Sequence, residues 1–230
     1  MKVLNTNDIT PTKINVLIIG DSGVGKTYCA RTLKGKTLVL SFESGLLSLK
    51  DSGIDYIEFN SKDEIKNVTD LVKVLSGDLI REYDNIYFDS LTAIADCFIA
   101  YCKNEYPDPR QTLQMFGALK KKLSGFIKYT RDLDKNIYFT ALPKTTTDDV
   151  GRRFTNADIP GSLSSSLGQY FDFVFYLQIH KKDDENIRAF LTANRDGFLG
   201  KDRSGKLNEF EVADLGLVIN KVFNKDEKDV

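Results

Sequence analysis

Cysteine is scarce in this chain. Cys29, Cys97 and Cys102 are an odd number without metal-ligand spacing, which points away from a thiolate metal site and toward a reducing cytosol. Cys97 and Cys102 fall on one expected helix and read as small apolar packing residues. Neither sign of charge is in excess. With 32 basic side chains against 33 acidic ones, no global field marks the chain as a nucleic-acid or membrane binder. Long hydrophobic runs are absent too. No stretch approaches membrane-spanning length, and the N-terminus holds no signal-peptide apolar run, so the expectation is a soluble, cytoplasmic protein with no membrane partner. There is no internal repeat and no separate linker, and 230 residues suffice for one α/β domain with a sizeable core.

What the chain does hold is Gly20-Asp21-Ser22-Gly23-Val24-Gly25-Lys26-Thr27, a complete G-x-x-x-x-G-K-[ST] phosphate loop. The β-branched run Ile14-Asn15-Val16-Leu17-Ile18-Ile19 before it reads as a buried strand. After it, Cys29, Ala30 and Leu33 recur at helical spacing until Gly35, which predicts a helix over 26–34. Strand, glycine loop and helix are the context in which this motif binds a nucleotide. The glycines let backbone N–H groups wrap a phosphate, and a helix N-terminus adds a favourable dipole. Lys26 is expected at the β- and γ-phosphates and Thr27 at Mg²⁺.

Strand-like and helix-like segments alternate up to residue 141. Strands are expected over 37–42, 54–59, 85–89 and 136–141. A capping box of Ser61 and Glu64 opens a helix whose apolar face is Ile65, Val68, Leu71, Val72 and Leu75. A second helix spans 91–103 and ends before the breaker Tyr106-Pro107-Asp108-Pro109. A third turns Leu113, Phe116, Leu119, Leu123, Phe126 and Ile127 toward the sheet. Such alternation predicts a mostly parallel sheet with helices on both faces. Residues 143–170 are polar and read as a functional or disordered loop. Runs over 171–179 and 187–192, flanking the turn at 182–186, predict an antiparallel hairpin closing one edge of the sheet. The charged tail 224–230 is expected to fray.

Asp89 ends an apolar strand, where a carboxylate can hold Mg²⁺ opposite the phosphate loop. Glu43 follows the second strand and is placed either to take a proton from an attacking water or as an ordinary exposed acid. Lys201 and Arg203 are alternate cations past the hairpin; alone they read as a solvated turn sooner than as a charge-stabilising pair. Residues 103–135 hold eight basic and four acidic side chains, either a phosphate-tracking patch or the wet back of a helix. The polar loop offers Lys144, Arg152, Arg153 and Phe154, the mix of cations and an aromatic that single-strand binders use, with Asp148, Asp149 and Asp158 balancing its bases.

In this order the elements resemble the RecA-like ATPase core, in particular the short phage-type RecA-like ATPases of the single-strand-annealing group, the nucleotide-binding or AAA-like phage proteins. The likeness rests on Gly20 to Thr27, on Phe42-Glu43-Ser44-Gly45, on Phe88-Asp89-Ser90-Leu91-Thr92-Ala93, on Phe139-Thr140-Ala141, on Phe171-Asp172-Phe173-Val174 and on Gly200-Lys201-Asp202-Arg203. It covers residues 13–205, within a single domain over 1–223. The resemblance implies a RecA-like P-loop core with a C-terminal antiparallel hairpin, ATP and Mg²⁺ as cofactors, and Glu43 as the residue that activates water. It also implies that Lys201 and Arg203 project into the active site of an adjacent subunit, with Arg195 as a rival finger, and that the segment after the sensor strand touches single-stranded DNA. Leu142 stands where related chains often carry a polar or His residue that senses the γ-phosphate.

The expected function is therefore a Mg²⁺-dependent ATPase acting on single-stranded DNA in phage recombination or replication, as a homo-oligomeric ring or filament, with a single-strand-binding protein as a further candidate partner. A small-molecule kinase with Arg152 and Arg153 in a lid, or a nucleotide-gated binding module that hydrolyses slowly, are the alternatives. A GTPase is disfavoured: Ser90-Leu91-Thr92 after Asp89 lacks the glycine of D-x-x-G, and Asn224-Lys225-Asp226-Glu227 lacks the final acid of N-K-x-D.

Overall fold

The computed structural model describes residue 5 and residues 12–43, 45–59, 62–182 and 185–223. Strands β1 (Asn15–Ile19), β2 (Thr37–Ser41) and β3 (Asp55–Glu58) come first, then helix α1 (Glu64–Ser76), β4 (Asn85–Asp89), α2 (Leu91–Glu105), α3 (Thr112–Asp132) and β5 (Asn136–Ala141). The second half is mostly strand: β6 (Pro143–Thr147), β7 (Arg153–Ala157), the single turn α4 (Leu163–Ser166), β8 (Phe173–Lys182), β9 (Glu185–Leu191), β10 (Lys201–Asp202) and β11 (Phe210–Val212), before α5 (Leu215–Phe223). Among the described residues, nine strands form one mixed sheet in the order β11-β9-β8-β1-β5-β4-β2-β3, with β10 on β8. From β3 to β8 every pairing is parallel. This is the mostly parallel α/β arrangement with antiparallel C-terminal strands that the sequence implies.

Side-chain alternation sorts the central strands onto two cores. Leu17, Ile19, Leu40, Phe88 and Phe139 face α1, α2 and α3, whereas Val16, Ile18, Val39, Tyr87 and Tyr138 face Cys29, Ala30 and α5. Register brings like rings together: Phe88 stacks on Phe139 at 4.3 Å and Tyr87 on Tyr138 at 5.8 Å between centroids. Because these strands run parallel, their C-terminal ends share one rim, and Gly20, Phe42, Ser90 and Leu142 all follow strands there.

Several expected details move. The segment after the phosphate loop is a 3₁₀ helix over Thr27–Thr32, not a long α-helix. The Thr32 hydroxyl donates back to the Cys29 carbonyl at 2.7 Å and accepts the Leu215 N–H at 2.9 Å, while Leu33 turns extended, so the chain leaves the helix after six residues. Asp63 caps α1 by accepting from Lys66 N at 3.0 Å; the Ser61 of the expected capping box lies outside the described residues. On that helix Val68, Leu71 and Leu75 are buried, but Ile65 and Val72 are exposed. Leu113 is 85 % exposed and Phe116 lies outside the core as well, because Met115 and Leu119 take the buried face in the first turns of α3. Residues 143–170 are not a loop: β6 and β7 form a separate two-stranded sheet. The β8–β9 hairpin does not close the edge, since β11 pairs outside β9. The 224–230 tail and the turn residues Asp183 and Asp184 lie outside the described residues.

Candidate functional site

Gly20 to Thr27 leave β1 at the C-terminal rim and turn under the β8–β9 hairpin. A Cβ on Gly20 would stand 2.9 Å from the Leu177 carbonyl oxygen and 3.0 Å from Val24 Cγ1, so only glycine fits between β8 and the loop. Gly23 and Gly25 take φ of +78° and +107°, which side-chain-bearing residues rarely adopt. Lys26 is only 7 % exposed, and its ammonium donates to the carbonyls of Gly20 at 2.7 Å and Asp21 at 2.9 Å. Burial lowers its pKa below the usual lysine value, opposed by the nearby charges of Glu43, Asp89 and Asp21. A desolvated cation inside a glycine loop is suited to the oxygens of a polyphosphate.

Thr27 donates to Asp89 Oδ2 at 2.7 Å, and Thr140 donates to Asp89 Oδ1 at 2.5 Å. Asp89 is buried at the end of β4, so both carboxylate oxygens are fixed by hydroxyls from the loop and from β5. A hydroxyl beside one carboxylate is a hard-oxygen pair of the kind that holds Mg²⁺ together with substrate phosphates and waters. Among the described residues no group of three or more His, Cys, Asp or Glu gathers as a metal cage.

Glu43 is brought to the same place. Ser90 follows Asp89 across a cis peptide, caps α2 by accepting from Ala93 N at 3.2 Å, and donates to Glu43 Oε1. Phe42 N also donates to the Asp89 carbonyl at 2.7 Å, tying the end of β2 to that of β4. Lys26, Thr27, Glu43 and Asp89 are therefore brought together at one rim. Three of their supports were not anticipated. The Tyr87 hydroxyl, fully buried and held well above the usual tyrosine pKa by desolvation, donates to the Lys26 carbonyl at 2.6 Å. Arg188 of β9 donates from Nε to the Val24 carbonyl at 2.9 Å and sits 3.0 Å from where a Gly25 Cβ would be. Ser90 carries the one sequence signal, a capping residue at a strand-to-helix junction.

Lys201 and Arg203 do not join them. In β10, Lys201 pairs with Val174, itself level with Leu17, and Arg203 N reaches the Asp172 carbonyl beside the start of β1. Along the strands that is about three residues from the phosphate loop of the same chain for Lys201 and about five for Arg203, roughly 10 and 16 Å at 3.3 Å per residue. Burial, then the charge of Arg203, lowers the Lys201 pKa; its ammonium donates to the carbonyls of Gly168 at 3.0 Å and Phe171 at 2.7 Å. Arg203 pairs with Asp172 at 2.5 Å. Arg195 is engaged by Glu209 and Asp196.

The hairpin β6–β7 leaves the same rim as the phosphate loop. Lys144 pairs with Asp158 at 3.2 Å and Arg152 with Asp148 at 2.8 Å, which neutralises two of the candidate contacts. Arg153 and Phe154 are exposed, and Arg153 has no ion-pair partner among the described residues. The basic stretch at 103–135 is the outer face of α3 and its flanks: Lys122 pairs with Glu105 and lies over the Tyr101 ring, and Lys120 donates to Ser162. Among the described residues no helix is long and apolar enough to cross a membrane.

Residues 12–204 match the family described as an AAA domain. The chain belongs to that family. That family is one of P-loop ATPases, and the matched residues include Gly20 to Thr27, Glu43 and Asp89. Among solved structures the chain is similar to a KaiC-like protein from Pyrococcus horikoshii, at 16 % identity with 79 % of each chain covered and a TM-score of 0.40. It is also similar to the flagellar accessory protein FlaH from Methanocaldococcus jannaschii, at 14 % identity, 84 % of each chain and a TM-score of 0.43. No curated protein matches it.

Proposed function

We propose that the protein is a Mg²⁺-dependent ATPase that acts on single-stranded DNA, in phage recombination or replication, as a homo-oligomeric ring or filament. The observation that carries the ATPase reading is the convergence of Lys26, Thr27, Asp89 and Glu43 at one rim, with Thr27 on Asp89 at 2.7 Å. Lys26 leaves its loop carbonyls for the β- and γ-phosphate oxygens. Thr27 and Asp89 would hold Mg²⁺, which neutralises phosphate charge when bound. Glu43, oriented by Ser90, takes a proton from the water that attacks the γ-phosphate. Thr140 keeps Asp89 in place from below.

The DNA reading is supported by β7, which presents Arg153 and Phe154 to solvent at the rim where the nucleotide binds. The oligomer reading is supported by the remoteness of Lys201 and Arg203 from the loop of their own chain, which leaves a neighbour's loop as their target. A finger supplied across a subunit boundary stabilises charge developing on the transferred phosphoryl group.

Turnover with and without an added oligonucleotide tests this. ATP hydrolysis should depend on Mg²⁺, rise with single-stranded DNA and be abolished in Lys26→Ala. Wild-type turnover in Lys26→Ala would end the reading of this loop as the active site. Dependence on a small phosphoryl acceptor instead of DNA would make the protein a kinase.

A further inference from the structure

Between β7 and the turn over 194–199 lies a cavity of about 360 Å³, lined by Phe154, Asn156, Asn194, Arg195, Asp196 and Phe198 among others. It is a built feature, not a gap between loose side chains. Thr155 N donates to the Gly197 carbonyl at 2.7 Å and Leu199 N to the Thr155 carbonyl at 3.1 Å, so main-chain bonds clasp one wall to the other. The turn closes on itself, with Arg195 N on Phe198 O at 3.2 Å and Phe198 N on Arg195 O at 2.8 Å. Its tip needs left-handed backbone: Asp196 has φ of 50° and Gly197 of 84°, and a Cβ on Gly197 would stand 2.0 Å from the Arg153 carbonyl oxygen. The floor ring, Phe198, packs on Tyr176 at 4.4 Å, and Tyr176 is level with Ile19, the residue before the phosphate loop.

The lining selects a ligand class. Phe154 and Asn156 are alternate residues of β7 and so share a face. The Phe154 ring is 42 % exposed and free to stack. The Asn156 carboxamide has no hydrogen-bond partner among the described residues, and Asn194 uses only its oxygen, accepting from Gly200 N at 3.1 Å. Both amides can therefore offer donors, and Asn156 an acceptor as well. The cavity carries little net charge, since Arg195 is paired with Glu209 at 3.0 Å and Asp196 at 3.3 Å. A phosphate would find no free cation there. A flat, neutral ring with donors and acceptors on its edge matches an aromatic wall flanked by amides, and the volume lies within the range of about 300–1,000 Å³ for small-ligand pockets.

We propose that this cavity is a nucleobase subsite for single-stranded nucleic acid, with one base stacked on Phe154 and its edge bonded by Asn156 and Asn194. The proposal rests on the single-stranded DNA reading above and adds the element of the strand that is recognised. Arg153, on the opposite face of β7, serves as the phosphate contact for comparison.

Fluorescence anisotropy of the full chain with a labelled single-stranded oligonucleotide, and with the same backbone carrying abasic sites, tests it. Wild type should bind the base-bearing strand more tightly. Phe154→Ala should weaken that binding about tenfold, as loss of one base stack does, Asn156→Ala should weaken it about fivefold through the lost edge hydrogen bond, and both should leave abasic binding unchanged. Phe154→Tyr should retain it, and Phe154→Leu, which keeps bulk without a ring, should not. Arg153→Ala should weaken both strands equally. If wild type binds the two strands alike, or the Phe154 and Asn156 variants bind like wild type, the base subsite is wrong while the DNA reading stands. If wild type binds neither strand, the DNA reading fails and takes the subsite with it.

Discussion

At the scale of single residues, Ser90 joins two jobs that are usually separate. Its hydroxyl oxygen caps α2 through Ala93 N, and its proton goes to Glu43. The orientation of the expected base thus depends on a helix terminus. Glu43→Gln should leave ATP and Mg²⁺ binding intact and slow hydrolysis by about 10²–10⁴-fold, the usual contribution of a general base; single-turnover rates with nucleotide affinity measured alongside would show it, and a fall of under about threefold would remove Glu43 from that role. Ser90→Ala should slow hydrolysis less than Glu43→Gln, because Glu43 stays in place, and should also cost about 1 kcal/mol of stability through the lost cap, read by thermal or denaturant unfolding. An unfolding loss without a rate loss would make Ser90 a cap alone. The phosphate loop and Asp89 each sit in a contiguous pattern that marks them as candidates, whereas the role expected of Glu43 came from the family resemblance. Tyr87 and Thr140 were not legible as partners. Thr140 reaches Asp89 because β4 and β5 pair in the register Phe88↔Phe139, and Tyr87 reaches Lys26 because β5 in turn pairs with β1, neither of which a local pattern encodes.

At the scale of elements, the β8–β9 hairpin overhangs the nucleotide loop and holds it. β8 is bound in parallel to β1 up to Tyr176↔Ile19, then continues past the rim with β9, where Arg188 stands opposite Ile179 and reaches Val24. The hairpin was legible from two apolar runs around a polar turn. Its grip on the loop was not, because the bond joins residues 164 apart in the chain. The β6–β7 hairpin was misread as a loop for a related reason: its residues are polar and pair with each other, so the apolar alternation that marks a half-buried strand is missing. Arg188→Ala removes a charged-donor hydrogen bond worth about 1.5–3 kcal/mol from a loop that must close on phosphate. The KM for ATP should rise roughly tenfold or more, by the energy of that bond, with kcat little changed. Arg188→Lys should not restore it, since the bond comes from Nε of a planar guanidinium that a lysine ammonium does not reproduce. Steady-state kinetics of the two variants decide this, and a KM within twofold of wild type in Arg188→Ala would show that the contact does not shape the loop.

At the scale of the whole molecule, the two charge-bearing features are set apart along the parallel strands, with Arg203 level with the start of β1 and Lys201 with its middle. The phosphate loop is at the C-terminal rim, while Lys201 and Arg203 clasp β10 to the start of β8. Separate placement is what a head-to-tail assembly needs, because the face that receives a finger differs from the face that supplies it, and such contacts close into rings or run on as filaments. Hydrolysis should then require a neighbour, and specific activity should rise with protein concentration. A cation supplied in trans contributes about 10³–10⁵ in rate in GTPases; a smaller loss is expected in Arg203→Ala, because Lys201 remains. Arg203→Ala and Lys26→Ala should each be impaired alone for different reasons, one lacking a finger and the other a working loop. Mixed, they form interfaces at which an intact loop from the first meets an intact finger from the second, so the mixture should regain part of the wild-type rate. Asp172→Asn supplies the structural control, since it releases the cis partner of Arg203 without touching the cation. If Arg203 acts in trans, this variant should stay active, and if Arg203 only secures β10, it should behave like Arg203→Ala. A mixture as inactive as its parts, beside wild type that is fully active as a dilute monomer, would leave Lys201 and Arg203 as a strand clasp within one chain.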